Sequence, residues 1–293
     1  MPVPREAPPL PHRVPVLRGR MPRDGWRTVA PALAVAILLP AVFLVPAALR
    51  SGTLDPAHLA GPFRSGFAAY WESGRPEFPA GLEAVVALWF RFHLVKAGVA
   101  ALLLAAAVAL TLAFRRRAGR AAAAGARARR PALAGAWGAG LVAVFAGLVL
   151  VANLQGAAAP FASLLPGVTA GGRGSVAADA VAEARTALAG GPEAHSAAPP
   201  ALTAMLDGFA RYHAVLLAAA LVTALVLAVL TVRSWRRRAA RATDSAGTAR
   251  RRARPSFLLP AGGVVVALVL AYANLTNTLD PAPGLTGLLT GGW

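Results

Sequence analysis

Two histidines stand 120 residues apart in matching surroundings, Phe90-Arg91-Phe92-His93 and Ala210-Arg211-Tyr212-His213. Two asparagines, Asn153 and Asn274, stand 121 apart, each within an Ala-Asn-Leu that closes an apolar run. A pair of imidazoles from two helices fits the ligation of a haem or a divalent metal, so His93 and His213 are the candidate ligands. Arg91 and Arg211 would then pair with haem propionates, or with Asp55 and Asp280. The same arginines suit the phosphate of a lipid or isoprenoid headgroup. A plainer reading competes with both: Arg, His and Asn bond loop carbonyls and the Asp of Thr-Leu-Asp-Pro-Ala, stapling loops to helix ends. That pentapeptide runs from Thr53 to Ala57 and recurs from Thr278 to Ala282.

The elements that must position these residues are membrane spans. The chain has 293 residues and a net charge of +18, yet it is 57% apolar, with a mean hydropathy of +0.56. A disordered basic protein or a soluble nucleic-acid-binding domain would not gather its apolar residues into runs of about 20. Five runs are long enough to cross the hydrocarbon: Thr28 to Leu49, Leu94 to Phe114, Leu133 to Ala152, Ala214 to Val232, and Phe257 to Ala273, which Asn274 and Leu275 can extend. The expected fold is an all-α membrane protein with five transmembrane helices. Pro31 and Pro255 are read as lying near helix starts, and Pro40 as kinking the first helix. A leader peptide is a poorer reading of the first span, whose apolar stretch exceeds the usual length.

Charge sets the expected orientation. The N-terminal tail, residues 1–27, and the loops after the second and fourth spans hold 22 arginines against Glu6, Asp24 and Asp244. Everything else holds seven arginines and Lys96, the one lysine, against nine acids. Positive residues stay inside, so the N-terminus is expected in the cytoplasm and the C-terminus outside. This partition accounts for the basic clusters without a nucleic-acid partner. Richness in Ala, Gly, Pro and Arg points to a GC-rich, bacterial coding sequence, and hence to the plasma membrane.

The chain also repeats itself. From each histidine an apolar run leads to an arginine triplet, Arg115 to Arg117 and Arg236 to Arg238. A basic loop ending in Arg-Pro and a second apolar run follow in both copies. Spans two and three (82–155) therefore match spans four and five (203–276), a duplication of equal orientation with a pseudo-twofold axis along the membrane normal. His93 lies 22 residues before Arg115 and His213 lies 20 before Arg233, about 33 and 30 Å along a helix. Asn153 and Asn274 lie 23 and 20 residues after Arg130 and Arg254, about 35 and 30 Å. All four should sit at the outer edge of the hydrocarbon, forming a ring with the arginines. At 100° per residue, His93 shares its face with Ala97, Ala100 and Ala107, and His213 with Ala220, Ala224 and Ala228. Asn153 similarly lines up with Ala146 and Gly135, and Asn274 with Ala267 and Gly263. Small residues let helices approach closely, so the polar side chains should point between helices.

The loops say less. Phe63, Phe67, Tyr70 and Trp71, in the 50–81 loop, form a helical stripe that would lie on the membrane surface or cap the bundle. The 156–202 loop is low in complexity, with a short polar helix expected over Val176 to Leu188, where Asp179 and Glu183 share a face. The 277–293 segment is read as a tail. His12, His58 and His195 read as solvated, and Lys96, Arg91 and Arg211 as near enough to the headgroups to snorkel. The absence of Cys removes disulfides and thiolate chemistry. No acid lies within a span, and no phosphate loop, nucleophile elbow or zinc-protease motif occurs. The leading expectation is a non-enzymatic accessory or binding protein at the extracytoplasmic face, acting on a membrane lipid or an envelope protein. A bis-histidine haem or metal redox protein and a small-solute transporter are the alternatives, and the oligomeric state is not set by these patterns.

Overall fold

The computed structural model describes residues 23–123, 127, 129–170, 174–191, 199–244 and 258–291. Arg5 to Arg20, Arg250 to Arg254, Pro255, His12 and His195 therefore lie outside the described residues. Those residues form ten helices and a short 3-10 turn at Pro56–His58, with no strand among them. Five helices are long and apolar enough to cross a membrane, and the protein is an all-α membrane protein. These are α1 (Arg23–Ala47), α3 (Ala80–Ala123), α4 (Arg129–Ala158), α8 (Pro200–Asp244) and α9 (Leu258–Leu279). The other five, α2 (Ala60–Ser73), α5 (Pro160–Leu164), α6 (Pro166–Thr169), α7 (Ala178–Ala189) and α10 (Pro281–Thr290), belong to a cap at the end away from the basic loops.

Within the span region the helices pair where small residues face each other. α3 packs along α4 and α8 along α9, and α1 adds to the outer side of α3. Ala97, Ala100 and Ala107 are buried on α3, Ala146 on α4, Ala224 on α8 and Ala267 on α9. A Cβ at Gly135 would come within 2.9 Å of the Phe114 ring, and one at Gly263 within 2.8 Å of Leu227. At those two glycines the backbone of one helix lies close against a large side chain of its partner. α1 is fixed by Val42, which is buried against Leu103 and Ala146. Pro31 lies well inside α1, because that helix starts at Arg23 and not at Thr28.

α3 and α8 each begin 14 residues ahead of the expected span, projecting about 21 Å beyond it. Apolar residues at helical spacing explain the extension. Leu82, Val85 and Leu88 on α3, and Leu202, Met205 and Phe209 on α8, are buried in one cap cluster. Glu83 in the first turn of α3 suits the positive end of the helix dipole. The stripe of α2 caps the bundle: Phe63, Phe67, Tyr70 and Trp71 are buried around Phe161 of α5. Gly74, in the left-handed conformation at φ 58°, ends α2.

The 156–202 segment, expected as a low-complexity loop with one short helix over Val176 to Leu188, forms α7 there and also α5 and α6, and the C-terminal segment, expected as a tail, forms α10. On α7 the stripe Ala180, Val181, Ala184 and Leu188 faces inward, and on α10 Leu285, Leu288 and Leu289 do so. Three side chains lace the cap. Trp71 Nε1 donates to Glu183 Oε2 at 2.7 Å, Arg64 donates to the Gly167 carbonyl at 3.3 Å, and Arg185 donates to the Leu289 carbonyl.

Candidate functional site

The four repeated polar residues meet as two separate pairs. His93 Nδ1 and Asn153 Oδ1 are 2.9 Å apart across α3 and α4, and His213 Nδ1 and Asn274 Oδ1 are 2.8 Å apart across α8 and α9. Each asparagine is oriented by its own helix, since Nδ2 donates to the carbonyl one turn back, that of Val149 at 2.6 Å or of Leu270 at 2.7 Å. The oxygen end therefore faces the imidazole and can only accept. The network assigns the proton to Nδ1 in both histidines, leaving a bare lone pair on Nε2. Both Nε2 atoms are buried without a hydrogen-bond partner.

Aromatic collars close around each imidazole at the same spacing. Trp89 and Phe92 pack on His93 at 4.5 and 5.4 Å between centroids. Phe209 and Tyr212 pack on His213 at 4.5 and 5.6 Å. The backbone of α4 also lies against His93, for a Cβ at Gly156 would come within 2.5 Å of Cγ, Cδ2 and Nε2. Gln155, the neighbouring residue, turns the other way and donates to the Tyr212 carbonyl at 3.5 Å. α4 thus touches both α3 and α8. Neither a ring contact nor a hydrogen bond joins His93 to His213 among the described residues.

The charged members of the expected ring go elsewhere. Arg91 is exposed and donates to the Ala87 carbonyl at 3.3 Å and to Ser51 Oγ at 3.4 Å. Arg211 is exposed and has no hydrogen bond or ion pair among the described residues. Asp55 accepts from the Ala57 N–H at 2.9 Å and pairs with Arg50 at 2.9 Å. Its carboxyl is held below the ordinary aspartate range, first by that N–H and then by Arg50 and His58. Asp280 stands at the N-cap of α10 without a side-chain capping bond, and is exposed. The pairing of Arg91 and Arg211 with Asp55 and Asp280 is therefore corrected: Asp55 is satisfied by neighbours within five residues, and Asp280 faces solvent. Both copies of the pentapeptide nonetheless do one local job, placing Asp ahead of a Pro that starts a short helix. Among the described residues no group of three or more His, Cys, Asp or Glu is placed to hold a metal ion.

Sequence reasoning did not find a cavity where α8 meets the cap helices α5, α6 and α10. It measures ≈ 370 Å³ and is lined by Ala162, Ser163, Pro166, Thr169, Phe209, Tyr212, Leu288 and Gly291. Two of these, Phe209 and Tyr212, form the His213 collar. A third, Ser163, accepts a hydrogen bond of 2.8 Å from Trp89 Nε1 of the His93 collar. The signal was present in Trp89 and Phe209, which share the 120-residue offset of the histidines.

Fold and site together define a class, an all-α membrane protein with two histidine–asparagine helix pairs under a helical cap. No family model matches the chain, and no curated protein or solved structure matches it either.

Proposed function

We propose that this chain is a bacterial plasma-membrane protein, with its N-terminus in the cytoplasm and its cap outside. In this reading it is a non-enzymatic accessory or binding protein, acting at the extracytoplasmic face on a lipid headgroup or an envelope protein partner. The observation that carries it is Arg211, a cation exposed at the cap end of the spans and committed to no internal partner, with Arg91 exposed at the matching place on α3. A protein that used these cations only to staple its loops would have paired both.

A duplicated two-helix unit, related by a twofold axis along the membrane normal, underlies the site in this proposal. What supports it is that the offset of 120 carries Leu82, Val85, Trp89, Phe92 and His93 onto Leu202, Met205, Phe209, Tyr212 and His213, each set serving the cap and the collar.

The test is the lipid content of the purified full chain, measured by mass spectrometry. Replacing Arg91 and Arg211 together with Gln is expected to strip copurified anionic lipid, and unchanged lipid refutes the reading. A second reading, a haem or metal protein, is favoured by the two bare Nε2 lone pairs, because a metal-ligating histidine holds its other nitrogen to an oxygen in this way. It requires a Soret band or bound metal that disappears in His93→Ala or His213→Ala. A colourless, metal-free protein ends it.

A further inference from the structure

We propose that the ≈ 370 Å³ cavity is a binding pocket for one hydrocarbon chain of an anionic lipid from the leaflet on the cap side, with Arg211 on the lipid phosphate. The inference rests on the lipid form of the outer-face reading and gives it a place and a ligand class. Height is the first argument. Tyr212 lies 21 residues and Phe209 lies 24 residues before Arg233 on the continuous α8, about 32 and 36 Å from the basic end. The cavity therefore begins where the hydrocarbon of a bilayer about 30 Å thick gives way to headgroups, and rises into the cap.

Lining chemistry is the second argument. Ala162, Pro166, Phe209 and Leu288 offer apolar surface, and no charged side chain lines the space. The polar groups leave little for a polar ligand, since Ser163 is engaged by Trp89 and Thr169 bonds the Pro166 carbonyl. Tyr212 alone contributes a hydroxyl without a hydrogen bond, at the boundary height where a lipid glycerol or phosphate oxygen would pass. A volume near the lower end of the range for small-molecule sites suits one chain and not a folded partner element.

Charge is the third argument. Arg211 directly precedes Tyr212, is exposed, and makes no ion pair even with Asp207 one turn away. A long cationic side chain at the hydrocarbon edge extends to the headgroups, where a phosphate supplies the missing counter-charge.

The test uses the full chain in vesicles containing phosphatidylglycerol with a photoreactive diazirine midway along one chain. Matched vesicles carry phosphatidylcholine with the same chain. Mass spectrometry locates the adducts after illumination. The expected result is phosphatidylglycerol adducts on the segments around Ala162 to Thr169, Phe209 to Tyr212 and Leu288. Thr169→Trp, which fills the cavity from a half-exposed position, should abolish them. Arg211→Gln should lower the phosphatidylglycerol yield about fivefold and leave the phosphatidylcholine yield unchanged.

Adducts confined to the lipid-facing positions of the spans, or cavity adducts indifferent to headgroup and to both variants, overturn the proposal. A cavity that stays free of lipid in vesicles also overturns it, as would be the case for a pocket that takes an apolar side chain of a protein partner. If the cavity takes no lipid but the Arg91 and Arg211 double variant still loses copurified lipid, the pocket fails while the outer-face reading stands. If that lipid is unchanged as well, both fail.

Discussion

Gly156→Ala is a small change with a calculable consequence. At this position on α4 an added Cβ would lie 2.5 Å from three ring atoms of His93, well inside van der Waals contact. The ring cannot slide away freely, because Trp89 packs edge-on at 4.5 Å and Nδ1 is held to Asn153. Overpacking of this kind costs about 1–3 kcal/mol. Tilting the imidazole also forfeits the bond to Asn153, worth about 0.5–1.5 kcal/mol. Alanine favours the helix by about 1 kcal/mol over glycine, which offsets part of the loss. The net expectation is a destabilisation of about 1–3 kcal/mol. Reversible unfolding in mixed micelles, followed by circular dichroism, would measure it. The decisive comparison is the same substitution in a His93→Ala background, where no ring is left to strike and the helix preference should make alanine neutral or mildly stabilising. Equal effects in the two backgrounds would refute the packing of Gly156 on His93.

Other consequences follow from the same contacts. Asn274→Ala should cost about 1–3 kcal/mol by stranding the His213 Nδ1–H in a buried place, and more than Asn153→Ala does, because His93 is only half-buried; unfolding midpoints in the reverse order would contradict this. Trp71→Phe should lower cap stability by only about 1 kcal/mol, since Glu183 is exposed and water replaces the lost indole donor; a loss as large as that of a core truncation would show that Glu183 is not solvated. Burial, with a smaller contribution from Glu77, pushes the Tyr70 phenol above its ordinary pKa. A raised value in the folded state means that the stabilisation is complete below the unfolded pKa and is lost as pH climbs toward the folded one. Phenolate absorbance of Tyr70, read by difference against Tyr70→Phe, should therefore lag that of the unfolded chain, and coincidence of the two curves would contradict its burial.

The spans were legible in the sequence, and so were the faces that they bury. Ala97, Ala100 and Ala107 turn inward with His93, as Ala146 does with Asn153 and Ala267 with Asn274, because a helix enforces its period whatever the surroundings. Counting residues to the nearest arginines put His and Asn at one depth, as a single ring, whereas the structure joins them as two separate pairs. The cap was legible only in part. The aromatic stripe of α2 and a helix close to α7 could be read, but not that α7 buries Ala180, Val181, Ala184 and Leu188, nor that α5, α6 and α10 form, because short helices in an Ala-, Gly- and Pro-rich background carry little periodic signal. The pairing of Arg91 and Arg211 with Asp55 and Asp280, one of the options that the sequence offered, rested on charge alone. Opposite charges at one depth look like partners from sequence alone, but the Ala57 N–H and Arg50 were already within reach of Asp55. The first helix shows the opposite kind of error. Pro31 suggests a start, yet a proline in a hydrocarbon-spanning helix is tolerated where neighbouring groups take up the freed carbonyl.

The division of labour between spans and cap has a physical basis. Inside a bilayer, helices gain no hydrophobic free energy by meeting, so association depends on close backbone packing and on interhelical hydrogen bonds. Each helix pair has both, small residues along the seam and one His–Asn bond at its cap end. Between the pairs the contact is slighter: α4 meets α8, where Gln155 donates to the Tyr212 carbonyl at 3.5 Å, and the buried cluster within the span region draws only on α1, α3 and α4. The joint is made above, where the cluster of the cap takes side chains from both α3 and α8 and from every short helix. There water is the competing solvent, and burying Phe63, Phe67, Phe161, Leu202 and Leu285 is favourable in a way that burying Leu221 or Val265 in the membrane is not. The cavity lies at this transition, bounded by a cap held together by the hydrophobic effect and by the Phe209 and Tyr212 collar of His213. Disturbing the cap, by Trp71→Phe for example, should therefore loosen the relation between the two pairs while leaving each His–Asn bond intact, whereas Asn153→Ala or Asn274→Ala should weaken one pair and spare the other.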